Sequence, residues 1–163
     1  MAIELLDQVP NLDAILVPTG GGGMLSGIAA YVKHKRPQCK VFPVEPVGKD
    51  LEPSLRSGRP MWPSPPQTLN TIADGLRVQQ LGSRCLPVAH ECCEKQIFTV
   101  KDEEIKQAMK LVFERLKLVI EPSSGIGVAA LLQEQFQSLD SSIENVAVIL
   151  CGGNVDLKEL KFD

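Results

Sequence analysis

The chain has 163 residues, 44% of them hydrophobic and 23% charged, which is the composition of one globular domain with a buried core. Its 17 basic and 20 acidic residues leave a net charge of −3, with no electrostatic footprint for a nucleic-acid backbone or an anionic membrane, so neither partner is expected. No window approaches the ~20 continuous apolar residues of a membrane span, and the opening MAIELLDQVP lacks the basic and apolar regions of a secretory leader. A soluble cytoplasmic protein is expected.

Residues Ala2 to Gln8 read as a helix with no capping residue before it, because Ile3, Leu5 and Leu6 are apolar. Ala14 to Val17 is a short continuous apolar run, the pattern of a strand buried on both faces. It feeds Pro18, Thr19 and the four glycines Gly20 to Gly23, after which a helix is predicted from about Gly23 to Lys35, stopped by Pro37. Lys40 to Val44 reads as the next strand and completes a βαβ unit.

A surface loop rich in Pro, Ser and Arg follows from Glu52 to Asn70, with one short helix near Leu51 to Ser57. Gln96 to Val100 has strand composition. Lys101 to Lys117 predicts an amphipathic helix, with Ile105, Ala108, Met109, Val112, Phe113 and Leu116 on one face and Lys101, Glu103, Lys106, Lys110 and Glu114 on the other. A further helix, capped by Ser123 or Ser124, is expected to run to about Gln137, its small residues Gly125, Gly127, Ala129 and Ala130 allowing close packing on a sheet. Asn145 to Leu150 reads as the last buried strand, ending in Cys151-Gly152-Gly153-Asn154.

Apolar strands alternating with helices predict an α/β fold, a three-layer, mostly parallel sheet with helices on both faces. Both glycine clusters then fall at the C-terminal ends of strands, where such sheets bind ligands. Four glycines between a buried strand and a helix allow several backbone N–H groups to face one anion, with the helix N-terminus adding partial positive charge. The run is neither a Walker loop, which needs Lys then Ser or Thr after the last glycine, nor the spaced GxGxxG of dinucleotide folds. A ligand-free flexible turn is the alternative.

The five cysteines, Cys39, Cys85, Cys92, Cys93 and Cys151, are odd in number and show no paired CxxC spacing, so reduced thiols are expected rather than disulfides or a zinc site. Taken singly, Cys151 reads as a small buried hydrophobe, Cys92-Cys93 as structural, and Glu121 before Pro122 as a helix start.

Four motifs in order, PTGGGGMLSGIA, IADG at Ile72 to Gly75, IEPSSGIGVAA at Ile120 to Ala130 and CGGNVDL at Cys151 to Leu157, together resemble the serine racemase and serine/threonine dehydratase family of fold-type II pyridoxal-phosphate enzymes. The resemblance spans almost the whole chain. It implies that Gly20, Gly21, Gly22, Gly23 and the Met24 amide hold the cofactor phosphate, that Cys151 faces the pyridine nitrogen in the position usually held by serine, and that Glu121 lies near the ring. Asp74-Gly75 would line the mouth of the site. A neutral thiol at Cys151 does little to keep the pyridine nitrogen protonated.

The resemblance further implies a divalent cation, Mg²⁺ or else Mn²⁺ or Ca²⁺, with Glu45 as its carboxylate, Lys49 offering a backbone carbonyl and Asp13 an outer, water-linked acid. The second carboxylate position falls on Leu51, with Asp50 one residue early, which leaves a hard cation short of oxygen. For an ATP effector, Lys117 and Asn154 match one half of a site at a subunit interface. A homodimer, or pairing with a complete subunit, is implied.

The lysine that binds the cofactor aldehyde in this family lies in a Ser-Phe-Lys-type motif, and these 163 residues contain no such motif. Residues 1–163 therefore resemble a single, incomplete cofactor domain, the C-terminal half of a racemase, without the small substrate domain or the lysine segment. The activity implied is interconversion of L- and D-serine with elimination to pyruvate and ammonia, the chain alone being inactive. Alternatives are a threonine dehydratase relative, or a truncated paralogue that catalyses nothing and pairs with a complete subunit through the surface around Lys101 to Lys117.

Overall fold

A computed structural model describes residues 1–156 and Lys158. Leu157, the last residue of the CGGNVDL motif, lies outside the described residues. The elements run α1 (Ala2–Gln8), β1 (Ala14–Pro18), α2 (Gly23–Lys35), β2 (Lys40–Pro46), α3 (Leu51–Ser57), a 3-10 turn (Asp74–Leu76), α4 (Cys85–Cys92), β3 (Phe98–Val100), α5 (Asp102–Leu116), α6 (Pro122–Leu132), α7 (Glu134–Gln137) and β4 (Val146–Val148). The strands form one sheet in the order β3-β2-β1-β4, and every pairing is parallel.

The fully buried run Ala14 to Val17 sits inside this sheet because alternate side chains face two different cores. Ile15, Val17 and Val41 pack with Leu25, Ile28, Val32, Leu55 and Leu86 from the α1, α2, α3 and α4 side. Leu16, Phe42, Val44 and Phe98 pack with Ile105, Met109, Ile126 and Ala130 from α5 and α6. Helices on both faces of a parallel sheet make the three-layer α/β fold that the sequence predicts.

Three expectations need correction. Helix α6 is not capped by Ser123 or Ser124: Glu121 is its N-cap residue, Pro122 starts it, and both serines lie fully inside the first turn with their hydroxyls turned to distant loops. Nor does α6 run to Gln137. The chain turns extended at Gln133, whose side-chain amide donates to the Thr99 carbonyl and to Glu104, each at 3.0 Å, and α7 then brings Phe136 edge-on against Phe42 and Phe98. The strand around Val146 to Val148 is only half-buried, because β4 is an edge strand paired with β1 alone. Helix α4, unrecognised in the sequence, packs on α2 and α3 through Leu86 and Ala89.

Helix α5 buries Ile105, Ala108, Met109 and Val112 of the predicted stripe and half-buries Phe113, but Leu116 at its last turn is exposed, and its first turn is closed by the Lys101 N–H donating to the Glu104 carboxylate at 2.7 Å. The gap between α5 and α6 is narrow enough to require glycine: a Cβ on Gly125 would lie 2.6 Å from the Met109 Cγ.

Candidate cofactor site

Strand β1 ends at Pro18, and the chain then turns through the glycines into α2, so the loop lies at the C-terminal edge of the sheet. Gly22 is the N-cap residue of α2 with φ of 87°, a left-handed conformation that other L-residues adopt at a cost. A Cβ at Gly22 would also meet Leu81 Cδ2 at 2.9 Å and Cys85 Cβ at 3.1 Å, while one at Gly20 would meet the Gly75 carbonyl at 2.9 Å. Gly21 and Gly23 face open space, with nothing within 4 Å of a Cβ position. The loop is thus closed behind and open in front.

The open side is a cavity of about 280 Å³, lined by Pro18, the four glycines, Met24, Leu25, Gly75, Leu76, Glu121, Ser123 and Cys151. Among the described residues, the amides of Gly20, Gly21 and Gly22 find no protein acceptor. The N–H groups of the first turn of α2, Met24 included, lack intrahelical partners for the usual geometric reason, and no side chain caps them. Clustered N–H donors at the positive end of a 13-residue helix make a cradle for a phosphate dianion.

Three of the four sequence motifs meet across this cavity from the other side. The Ser123 hydroxyl accepts from the Gly75 N–H at 3.0 Å and donates to Asp74 Oδ1 at 3.3 Å, fixing the Asp74-Gly75 turn against the start of α6. The Ser124 hydroxyl accepts from the Cys151 N–H at 2.9 Å and donates to the Gly152 carbonyl at 3.0 Å. Glu121 accepts from the Asn154 N–H at 3.2 Å, and its own N–H donates to the Gly152 carbonyl at 3.1 Å. A Cβ on Gly152 would collide with the Glu121 carboxyl, which is why a glycine stands beside this acid.

Cys151 therefore reaches the cavity as an exposed rather than buried thiol, correcting its reading as a small core residue. Loss of solvation around the sulfur raises its pKa, opposed by the Ser124 hydroxyl, so the group is neutral at pH 7. Ser123 and Ser124, read from sequence only as helix caps, are the residues that align the two loops. The sequence marks them only as the Ser-Ser pair directly after Glu-Pro, a pattern that a helix cap shares. Among the described residues no lysine lines the cavity.

The residues assigned to a divalent cation do not fit one. Asp13 is at the opposite end of the sheet from Glu45: the Asp13 carbonyl accepts from the N–H of Lys40, at the start of β2, and its carboxylate accepts from the Glu144 and Asn145 N–H groups at 3.1 and 2.8 Å. Glu45, at the far end of β2, already accepts from the Leu51 N–H and the Thr99 hydroxyl, both at 3.1 Å. Leu51 is fully buried and apolar, and the Lys49 carbonyl already accepts from the Trp62 indole N–H at 2.7 Å. Among the described residues no three His, Cys, Asp or Glu side chains gather in one place. Lys117 and Asn154 lie on one exposed edge, where a Cβ on Gly153 would meet the Val119 carbonyl at 2.9 Å.

Comparison with known proteins agrees with this geometry. The profile of the family described as "Pyridoxal-phosphate dependent enzyme" matches residues 1–152. Serine racemase of Bos taurus is 43% identical over 162 residues, covering 98% of this chain and 47% of the relative. L-threo-3-hydroxyaspartate ammonia-lyase of Saccharomyces cerevisiae is 41% identical over 158 residues, covering 96% and 46%. The crystal structure of a pyridoxal 5'-phosphate-dependent aspartate racemase superposes with a TM-score of 0.96 at 48% identity, covering 99% of this chain and 49% of that one. The chain spans about half the length of the curated relatives it matches. A profile match over nearly every described residue, on a fold whose glycine cradle, Ser-Ser pair and Cys-Gly-Gly loop converge on one cavity, shows that this chain belongs to the pyridoxal-phosphate dependent enzyme family.

Proposed function

We propose that the cavity binds pyridoxal phosphate through the glycine loop, and that the activity it serves is interconversion of L- and D-serine with elimination to pyruvate and ammonia. The observation that carries this reading is the row of unpaired amides at Gly20 to Gly22, which opens α2 toward the same cavity as Cys151 and Glu121. When bound, pyridoxal phosphate supplies an electron-withdrawing ring that stabilises negative charge at the α-carbon of an amino acid.

The chain's own residues divide the binding work. Gly20 to Gly23 and the Met24 amide donate to the phosphate, and the open faces of Gly21 and Gly23 leave room for its oxygens. Cys151 presents a neutral thiol, placed by Ser124, toward the ring nitrogen, which leaves that nitrogen largely unprotonated and moderates its pull on electrons. Glu121 holds the Asn154 backbone and so shapes the wall beside the ring. Among the described residues none that lines the cavity is a lysine, so on this reading these residues bind the cofactor without a covalent link and need a lysine from elsewhere for turnover.

Lys117 and Asn154 share an exposed edge, which supports a nucleotide contact there completed by another subunit. The exposed Leu111, Leu116, Leu118 and Val119 support pairing through the end of α5, as a homodimer or with a complete subunit. The five free cysteines support a reducing, cytoplasmic setting. Among the described residues no helix is long and apolar enough to cross a membrane.

A second substrate, aspartate, is favoured by the 48% identity to an aspartate racemase. Co-expression with the lysine-bearing half of a serine racemase, then assay of L-serine and L-aspartate side by side, tests both. D-serine and pyruvate from L-serine support the first reading, and preferential racemisation of aspartate supports the second. Turnover of neither by a correctly assembled complex overturns both, and turnover by the chain alone overturns its dependence on an added lysine.

A further inference from the structure

Among the described residues, one of the largest fully buried side chains is a lysine. Lys49 is 0% exposed, and Glu45, four residues earlier at the end of β2, is 3% exposed. A buried ammonium is costly unless its three N–H donors are used. Here they are aimed at a turn thirty residues away: the Lys49 Nζ donates to the Val78 carbonyl and, at 3.1 Å, to the Gln79 carbonyl. The Glu45 carboxylate acts on this ammonium through space. It is itself held by the Leu51 N–H and the Thr99 hydroxyl, both at 3.1 Å.

The turn that Lys49 grips leads directly to the glycine loop. Three residues after Gln79, the Gly82 N–H donates to the Gly21 carbonyl at 2.9 Å, and Leu81 packs where a Cβ of Gly22 would stand. A carboxylate with two backbone carbonyls is a set of oxygen donors that a cation satisfies; the other carboxylate acting on Glu45, that of Asp50, is on an exposed residue, and the fully buried Lys49 brings the positive charge. We propose that the Lys49 ammonium is a built-in cation, standing between Glu45 and the Val78 and Gln79 carbonyls, that pins residues 78–82 onto the glycine loop and makes this region independent of metal ions. Lys49 is thus a positioning residue for the loop.

The chain carries its own probe. Its one tryptophan, Trp62, donates its indole N–H to the Lys49 carbonyl at 2.7 Å. In the parent protein, neither EDTA nor millimolar Mg²⁺, Mn²⁺ or Ca²⁺ is expected to move the Trp62 emission or the melting temperature. In Lys49→Ala, the vacated pocket lowers the melting temperature by about 5 °C or more, and methylammonium or a divalent cation restores part of that loss together with the Trp62 emission. In Lys49→Met, which fills the space without the charge, the Gly82 amide exchanges its hydrogen about tenfold faster than in the parent, and no cation slows it.

A parent stabilised by a divalent cation overturns the proposal. So does a folded Lys49→Ala that no cation rescues, or a Lys49→Met with parental exchange at Gly82. If Lys49→Ala does not fold, the parent and Lys49→Met decide. The functional consequence rests on the glycine loop as a phosphate site, but these readouts need no cofactor. A parent that fails to bind pyridoxal phosphate overturns that reading and leaves these measurements to judge Lys49 separately.

Discussion

The Ser124 hydroxyl joins two segments 27 residues apart, taking the Cys151 N–H at 2.9 Å and giving its proton to the Gly152 carbonyl at 3.0 Å. Ser124 is fully buried, and Ser124→Ala leaves the Cys151 N–H without its acceptor and the Gly152 carbonyl with the Glu121 N–H alone. The expected cost is about 1–3 kcal/mol in urea unfolding, accompanied by weaker binding of pyridoxal phosphate as Cys151 loses its placement. Parental stability and affinity in the variant would show that the bond does not position the thiol.

The glycine loop separates folding from binding at adjacent positions. At Gly22, φ of 87° and the close approach of Leu81 and Cys85 make alanine strained and crowded. Gly22→Ala should lose about 1–3 kcal/mol of stability. At Gly21 a methyl group meets nothing of the protein. Gly21→Ala should unfold within about 0.5 kcal/mol of the parent while binding inorganic phosphate about tenfold more weakly. Calorimetric titration beside urea unfolding gives both numbers, and equal effects at the two positions would contradict this division.

The thiols should react in an order set by burial. Burial pushes the Cys39 thiol up to about 11 and the Cys93 thiol up to about 12, and both side chains are shielded. Cys151 is exposed at the cavity. Iodoacetamide at pH 8 should label Cys151 well before Cys39 or Cys93, which react only on unfolding. Saturating pyridoxal phosphate should slow the Cys151 reaction. Mass spectrometry of tryptic peptides reads the order, and unprotected Cys151 would place the cofactor elsewhere.

The buried pair under β2 gives stability a particular pH profile. Burial raises Glu45 from 4.5 to about 7, against the pull of the Leu51 N–H, the Thr99 hydroxyl and Lys49, and lowers Lys49 from 10.5 to about 8. Between about 4.5 and 7 the folded state holds the Glu45 proton that the unfolded state has lost, so this contribution is full at the lower pH and falls as pH rises. Between about 8 and 10.5 the unfolded state holds the extra proton on lysine, so stability rises again. Unfolding free energies across this range, compared with Glu45→Gln, should show the lower slope vanish in the variant. A lower slope that survives would assign it to other groups.

Much of the fold is legible in the sequence because its signals are local. The apolar run Ala14 to Val17, the glycines before α2 and the stripe on α5 each carry their own period or punctuation, and the elements form where those patterns place them. Helix α4 was not legible: CLPVAHEC has Pro87 and little polar contrast, and its helix is secured by packing on α2 and α3. The roles of Ser123 and Ser124 were hidden for a similar reason. Their partners, Gly75 and Cys151, lie 48 and 27 residues away, and nothing local distinguishes a serine that caps a helix from one that ties two loops. Asp13 shows the limit of motif matching, since a residue in the right place along the chain lies at the wrong end of the sheet.

The most direct test is a titration of the purified protein with pyridoxal phosphate, followed by absorbance, with and without inorganic phosphate as competitor. Saturable binding that phosphate displaces, and that Gly21→Ala weakens, is the result expected of a cradle at the N-terminus of α2. Binding that phosphate does not displace, spread over surface lysines and indifferent to Gly21→Ala, would contradict it.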